Sequence, residues 1–175
     1  MRLAPVPMFF FPDLEAAKRY GAESARTTHG AAECVDACRL LAPILCRALE
    51  GRPKDEVALG DSGSFVGEEK IVAIARGDYR EKSTEDIRGS GYVVESLEAA
   101  MWCFIRSESL EEAILAAANL GDEAGTTAAV CGQVAGAYYG VSGIPAGWLE
   151  RLALRSEITR LADRLYGRQG GEGVV

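Results

Sequence analysis

Apolar residues recur at three- and four-residue steps along most of the chain, which is the pattern of helices with one buried face. The clearest case begins near Ala31 and ends at Gly51, and its apolar face consists of Val35, Cys38, Leu41, Leu45 and Leu49. Few segments alternate between apolar and polar residues as a half-buried strand does. The sequence therefore predicts an all-α fold, an irregular orthogonal helical bundle.

Capping residues mark the ends of several other predicted helices. An acidic first turn starts a helix at Asp13 that runs to about Thr27. Ser109 and Glu112 have the form of a capping box and start a helix to about Asn119. Gly140 is a typical C-cap for a helix that begins at Thr126. These signals agree with the helical periodicity between them.

The remaining segments are assigned by apolar patterning and by turn residues. Further helices are expected over 93–105, after Pro145 and over 156–166, and at most one helical turn over 54–59. Residues 77–91 are polar and predict a surface connection. Three prolines within residues 1–12 favour an irregular arm, and the glycine-rich residues 168–175 a flexible tail. We therefore expect a single α-helical domain over 1–167.

Composition narrows the class of protein. The chain has 175 residues, of which 48% are hydrophobic, enough for one domain with a sizeable core. A net charge of −7 without a cluster of Lys and Arg argues against a nucleic-acid partner. No apolar run approaches the length of about 20 residues that spans a membrane, and the prolines interrupt any signal peptide. We expect a cytoplasmic protein without a membrane partner.

Cysteine usage suits a reducing compartment. The five cysteines are an odd number scattered through apolar helical patterns, so a disulfide framework is not indicated. Cys34 and Cys38 lie one helical turn apart, as zinc ligands sometimes do. No CxxC pair accompanies them and the chain has a single histidine, so we favour small buried side chains.

Two segments before helices carry candidate binding chemistry. Asp122, Glu123 and Thr126 offer carboxylate and hydroxyl oxygens, which magnesium and calcium prefer, although plain helix capping explains them equally well. The loop Gly89-Ser90-Gly91-Tyr92 lacks the third glycine and the preceding strand of a dinucleotide fingerprint. Its amides can still wrap a phosphate or a ribose, and a simple turn into the next helix remains the alternative.

His29 is the only histidine, and it lies between two predicted helices. A lone histidine is more often a packing residue than a catalyst. The segment from Gly60 to Ser64 does not form the nucleophile elbow that would provide a serine partner. A serine-hydrolase triad is therefore rejected.

Taken in order, four segments resemble the ADP-ribosylglycohydrolase family, which includes the dinitrogenase-reductase-activating glycohydrolases. They are residues 1–7, 24–30, 89–100 and 119–140 with Ile144-Pro145 and Trp148-Leu149 following. The resemblance implies an all-α hydrolase that cleaves the N- or O-glycosidic bond between ADP-ribose and a protein side chain, using two magnesium or sometimes manganese ions. It also implies that His29 and the loop of Gly89, Ser90, Gly91 and Tyr92 border the ADP-ribose.

The chain departs from the family pattern at its metal ligands. The family's C-terminal Asp-x-Asp-Thr aligns with residues 123–126, where Glu123 replaces the first Asp and Gly125 the second. The resemblance covers only the C-terminal half of the family, and the other metal ligands lie in the N-terminal half. We expect a degraded metal site of Glu123, Asp122 and Thr126, no intact set of catalytic residues, and no hydrolysis by the isolated chain, because lost ligands weaken metal binding.

Three hypotheses follow. The chain is part of a hydrolase whose N-terminal half is a partner polypeptide, or it is a non-catalytic module that binds ADP-ribose or a nucleotide. In the second case, an apolar face no longer covered would favour a homo-oligomer. The third is a fragment of a split gene without a role of its own.

Overall fold

In the computed structural model, which describes residues 1–167, the chain is all-α and those residues contain no strand. Three short 3₁₀ helices, Asp78–Glu81, Thr84–Asp86 and Val141–Gly143, join some of the α-helices. The α-helices are α1 (Pro5–Phe10), α2 (Leu14–Arg26), α3 (Ala32–Leu49), α4 (Lys54–Leu59), α5 (Glu69–Arg76), α6 (Val93–Arg106), α7 (Leu110–Ala118), α8 (Ala124–Tyr139), α9 (Ala146–Arg151) and α10 (Arg155–Tyr166). The predicted tail, 168–175, lies outside the described residues.

The predicted helix ends are confirmed where a capping residue marks them. Asp13 caps α2 by accepting a hydrogen bond from Ala16 N at 2.9 Å. Ser109 caps α7 by accepting one from Glu112 N at 3.1 Å. The Glu112 carboxylate accepts from Glu108 N rather than from Ser109 N, so the reciprocal bond of a capping box is displaced by one residue.

The prediction of an irregular N-terminal arm is wrong. Pro5 and Pro7 lie in the first turn of α1, where a missing backbone N–H costs no hydrogen bond. Pro7 is buried, and the Phe10 ring stacks on Tyr20 of α2 with 4.3 Å between ring centroids. The prolines therefore start a short helix that packs on the domain.

The longest helix, α3, lies at the centre of the fold and packs against α1, α2, α4, α5, α6 and α8. Leu40, Ile44 and Leu45 are almost completely buried on it. Its closest neighbour is α2, because Gly21 has no side chain: a Cβ built there would lie 3.2 Å from Ala42 Cβ and from Cys38 O. Glycine at position 21 thus sets the spacing of the α2–α3 pair.

The glycines within α8 are not points of close helix packing. Cys131, Val134 and Ala135 are fully buried, so α8 lies in the core of the domain. A Cβ at Gly132 would only touch the Ile114 side chain at 3.5 Å, and a Cβ at Gly136 would meet nothing within 4 Å. The close approach of another backbone is therefore absent at these two glycines.

Two neighbouring helix starts position the candidate site. The loop of residues 89–92 leads into α6, and its backbone lies beside the first turn of α8.

Within residues 1–167, no helix is both long enough and apolar enough to cross a lipid bilayer.

Candidate functional site

An open cleft of about 550 Å³ lies between the N-terminal residues and helices α2, α3, α6 and α8. This volume is within the usual range for small-molecule sites. Leu3, Ala37, Leu41, Leu97 and Val130 give the cleft largely apolar walls. The polar groups along it include Arg2, His29, Tyr92, Ser96 and Thr126. The cleft thus brings together residues as far apart in the sequence as Leu3 and Val130.

The loop before α6 is fixed to the start of α8. Gly89 O accepts a hydrogen bond from Glu123 N at 2.9 Å. A Cβ at Gly89 would lie 3.1 Å from Thr127 Oγ1 and 3.3 Å from Gly121 O, closer than most Cβ contacts. A side chain at position 89 would therefore require these neighbours to shift by a few tenths of an ångström. Gly89 supports the cleft from behind, whereas Gly91 lies on its surface.

Tyr92 connects three helices at the edge of the cleft. Its hydroxyl donates to Glu33 Oε1 of α3 at 2.5 Å and accepts from Lys70 Nζ of α5 at 2.9 Å. The hydrogen bond to Tyr92 raises the pKa of Lys70, whose ammonium lies 5.0 Å from the ring centroid. These contacts hold the ring in one orientation. Tyr92 is 37% exposed, so part of its surface is available to a ligand.

Ser90 does not line the cleft. Its hydroxyl donates to the Glu95 carboxylate of α6 and accepts from Tyr92 N at 3.1 Å. The side chain therefore shapes the loop, and its hydrogen-bonding capacity is used within the protein.

The first residues of the chain form one wall of the cleft. Arg2 Nη2 donates to Ser24 O at 2.9 Å, Thr27 Oγ1 at 2.6 Å and Thr28 Oγ1 at 3.1 Å. Gln133 of α8 donates to Met1 O at 2.6 Å and accepts from Ala4 N at 2.8 Å. These bonds join the N-terminal residues to α2 on one side and to α8 on the other.

His29 lies at the exposed rim of the cleft, just after α2. Its Nδ1 is 2.9 Å from Thr28 Oγ1, and the same hydroxyl accepts from Arg2. His29 is therefore oriented beside a guanidinium group, whose positive charge favours an anion at this rim. The packing role that a lone histidine usually has does not apply, because the side chain is exposed.

Ser96 is a candidate that the sequence did not reveal. It lies in the buried stretch of α6, is only 4% exposed, and lines the cleft. Its Oγ has no hydrogen-bond partner within the protein. An unpaired buried hydroxyl is costly, so a partner from a ligand would be favoured here. A serine among apolar residues of one helix face was the available signal.

Cys34 and Cys38 also line the cleft and are only partly buried, contrary to the expectation of fully buried side chains. Burial nevertheless raises the pKa of the Cys38 thiol. The other cysteines, Cys46, Cys103 and Cys131, are buried as expected. All five thiols are free.

The acidic segment does not form a complete cation site. Asp122 and Glu123 are exposed, and of the three predicted ligands only Thr126 lines the cleft. Across residues 1–167, no three His, Cys, Asp or Glu side chains come together as a metal site requires. Magnesium needs near-octahedral coordination by oxygen, so this donor set does not fit a dinuclear magnesium centre. Neither carboxylate caps α8, since its N-cap residue Glu123 makes no side-chain capping bond.

There is open space at Gly125, the position of the family's second metal-binding Asp. A Cβ built at Gly125, in the first turn of α8, has no atom within 4 Å apart from its immediate neighbours. Glycine is therefore not required there by packing, and a carboxylate side chain would fit.

Comparisons with known proteins show the family of this chain. The ADP-ribosylglycohydrolase family model matches residues 1–174. The chain belongs to the ADP-ribosylglycohydrolase family. Among other members, it is 42% identical over 168 residues to the ADP-ribosylarginine hydrolase Tri1 of Pseudomonas putida (strain GB-1), a match covering 96% of this chain and 45% of Tri1. It is 33% identical over 85 residues to the ADP-ribosyl-[dinitrogen reductase] glycohydrolase of Rhodospirillum rubrum, covering 47% of this chain and 29% of that protein.

The fold of this ADP-ribosylglycohydrolase-family chain also has a counterpart among solved structures. A chain described as an ADP-ribosylglycohydrolase-related protein complex superposes with a TM-score of 0.83 at 40% identity. The match covers 95% of the present chain and 58% of the solved one. The chain thus spans a little under half the length of Tri1 and somewhat more of the solved structure.

Proposed function

We propose that the cleft binds the ADP-ribose group of ADP-ribosylated proteins, and that hydrolysis requires acidic residues from outside these 175 residues. The observation that carries the proposal is the assembly of His29, Gly91, Tyr92 and Thr126 around one cleft. These residues come from three separate segments of the sequence. Their convergence is what a binding site for one extended ligand requires.

The chemistry of the cleft suits the parts of ADP-ribose. Arg2 and His29 present donors at one side, where the diphosphate would be placed. The Tyr92 ring and the apolar walls provide a surface for an adenine base, since every base has a face that stacks on aromatic side chains. The Ser96 hydroxyl is an unused donor and acceptor for a ribose hydroxyl.

Hydrolysis is a separate part of the proposal. Glu123 and Asp122 do not make a metal site by themselves, and position 125 provides no ligand. A metal-dependent hydrolase needs an ion held in fixed geometry to activate water. We therefore assign binding to this chain and metal-dependent cleavage to its combination with a further segment. Two of the relatives are named ADP-ribosylarginine hydrolases, which favours an arginine linkage in the substrate.

Isothermal titration calorimetry with ADP-ribose tests the binding part. Wild type should bind ADP-ribose, and Tyr92→Ala should weaken binding about tenfold or more, because stacking on an aromatic ring is worth about 1–3 kcal/mol. Tyr166→Ala is a matched control, since Tyr166 is 42% exposed and lies in α10, away from the cleft. Absence of ADP-ribose binding, or equal losses in the two variants, would contradict the proposal.

An activity assay tests the cleavage part independently. ADP-ribosyl-arginine peptide is incubated with the chain and Mg²⁺, and released ADP-ribose is measured with and without EDTA. We expect no release above the protein-free control. EDTA-sensitive release by the 175-residue chain would show that the residues present suffice, and would overturn this part while leaving the binding result standing.

A further inference from the structure

The C-terminal helix α10 presents an apolar stripe that the described part of the chain covers only in part. Leu154, Ile158, Leu161 and Leu165 follow one another at steps of four, three and four residues, which places them on one side of the helix. Leu154 is 72% exposed, Ile158 48% and Leu161 44%. None of the residues of α10 is buried. A stripe of this spacing is typical of a helix that pairs with another helix.

The position of α10 leaves one side of the stripe accessible. The helix packs against α1, and the ring of Tyr166 stacks on Phe11 with 5.7 Å between centroids. In a heptad frame with the four apolar residues at the a and d positions, Ala162 flanks the stripe on the side of Tyr166. Glu157 and Arg164 flank it on the opposite side, and both face solvent.

The order of these charges selects one kind of pairing. If a second copy of α10 lies antiparallel with its Leu161 opposite Ile158, then its Leu165 lies opposite Leu154. Glu157 of each copy then lies beside Arg164 of the other, which gives two opposite-charge pairs along the flanks. A parallel arrangement would place Glu157 beside Ala162 and form neither pair. The helix is therefore complementary to itself in the antiparallel direction.

We propose that two copies of this chain associate through antiparallel pairing of their α10 helices. This surface is isologous, as a two-fold symmetric dimer requires, because each copy contributes the same stripe and the same two charges. A 12-residue helix is about 18 Å long, so the contact is smaller than a standard interface. We expect a reversible dimer whose population rises with protein concentration. No residue of α10 lines the cleft, so the pairing is independent of ADP-ribose binding.

Sedimentation equilibrium over a wide concentration series tests this proposal. Wild type should reach twice the monomer mass at high concentration, and Ile158→Gln with Leu161→Gln should remain monomeric. Asp163→Arg is the matched control, since Asp163 lies on the opposite side of α10 and should leave the dimer unchanged. A monomer at every concentration would overturn the proposal, and it is also the result expected if another segment covers the stripe. A dimer that survives both glutamine substitutions would overturn it as well.

Charge reversal distinguishes this pairing from loss of folding. Glu157→Arg alone and Arg164→Glu alone should each weaken the dimer about tenfold, because like charges then face each other at both ends. Mixing the two single variants should restore association, since the reversed charge of each copy then faces an opposite charge. Circular dichroism and ADP-ribose titration verify that each variant is folded. If mixing restores nothing while both variants are folded, antiparallel pairing is excluded.

Discussion

The open space at Gly125 leads to a gain-of-binding prediction. Gly125→Asp places a carboxylate two residues after Glu123 in the first turn of α8, where no neighbouring atom obstructs its Cβ. We expect this variant to acquire divalent-cation binding that the wild-type chain lacks. The new carboxylate would join those of Asp122 and Glu123. We do not expect this variant to hydrolyse ADP-ribosylated substrates.

Without metal, Gly125→Asp should change the free energy of unfolding only slightly. A carboxylate at a helix N-terminus contributes about 0.3–1 kcal/mol, and replacing an exposed helical glycine adds a few tenths. Repulsion from Asp122 and Glu123 opposes these gains by similar amounts, because both carboxylates are exposed and screened. The free energy of unfolding should therefore change by less than about 1 kcal/mol.

Added cation should then stabilise only the aspartate variant. At a free Mg²⁺ or Mn²⁺ concentration about ten times the dissociation constant, binding to the folded state adds about 1.4 kcal/mol. For a domain of this size, that corresponds to a rise in Tm of about 3–6 °C. Differential scanning fluorimetry across a cation series measures the rise, and calorimetric titration measures the affinity.

Gly125→Asn is the matched control, because it has nearly the same size as aspartate but no charge. The asparagine variant and wild type should show no cation-dependent rise. Equal rises in the aspartate and asparagine variants, or no rise in either, would refute the reasoning that a missing carboxylate limits cation binding at this segment.

Four further predictions concern other sites. Tyr79→Phe removes a fully buried hydroxyl without a partner and should raise the free energy of unfolding by about 1 kcal/mol in urea melts; a lower midpoint would contradict this. Ser96→Ala should weaken ADP-ribose binding about fivefold in calorimetry without lowering Tm, whereas a loss of Tm with unchanged affinity would mean a packing role. ADP-ribose should slow the alkylation of Cys34, which lines the cleft, and the same rate with and without ADP-ribose would argue against occupancy of the cleft. Cys131 is the internal control: burial raises the pKa of its thiol to about 12, so it should stay unreactive near pH 8. Finally, burial raises the pKa of Cys131 to about 12, so the folded state favours the neutral thiol. The contribution of this thiol to the free energy of unfolding should be complete below pH 9 and should be lost as the pH rises towards 12. Urea melts in which the free energy of unfolding does not fall over this range, or falls equally in Cys131→Ala, would disprove it.

The fold was largely predictable from the sequence because its signals are local. Asp13, Ser109 and Gly140 act within one turn of their own helices, and those helix ends agree with the structure. The start of α1 was missed because prolines break a helix in its interior but are tolerated in its first turn.

The candidate site was predictable only in part, for a physical reason. The resemblance gave His29, Gly91, Tyr92 and Thr126, all of which line the cleft. Ser96 was missed, because an apolar helical pattern does not show that one polar member faces a cavity. The contacts of Tyr92 with Glu33 and Lys70 are likewise formed between helices distant in sequence, so no spacing rule reveals them.

The bonds that hold Met1 and Arg2 between α2 and α8 have a practical consequence for anyone handling the protein. Met1 is part of the cleft wall, with its carbonyl bound to Gln133 and its side chain 67% exposed. Residues joined ahead of Met1, whether an affinity tag or a fused domain, would therefore begin at the cleft itself. A tag at the N-terminus would therefore lie beside the ligand, so it is best cleaved off before binding is measured.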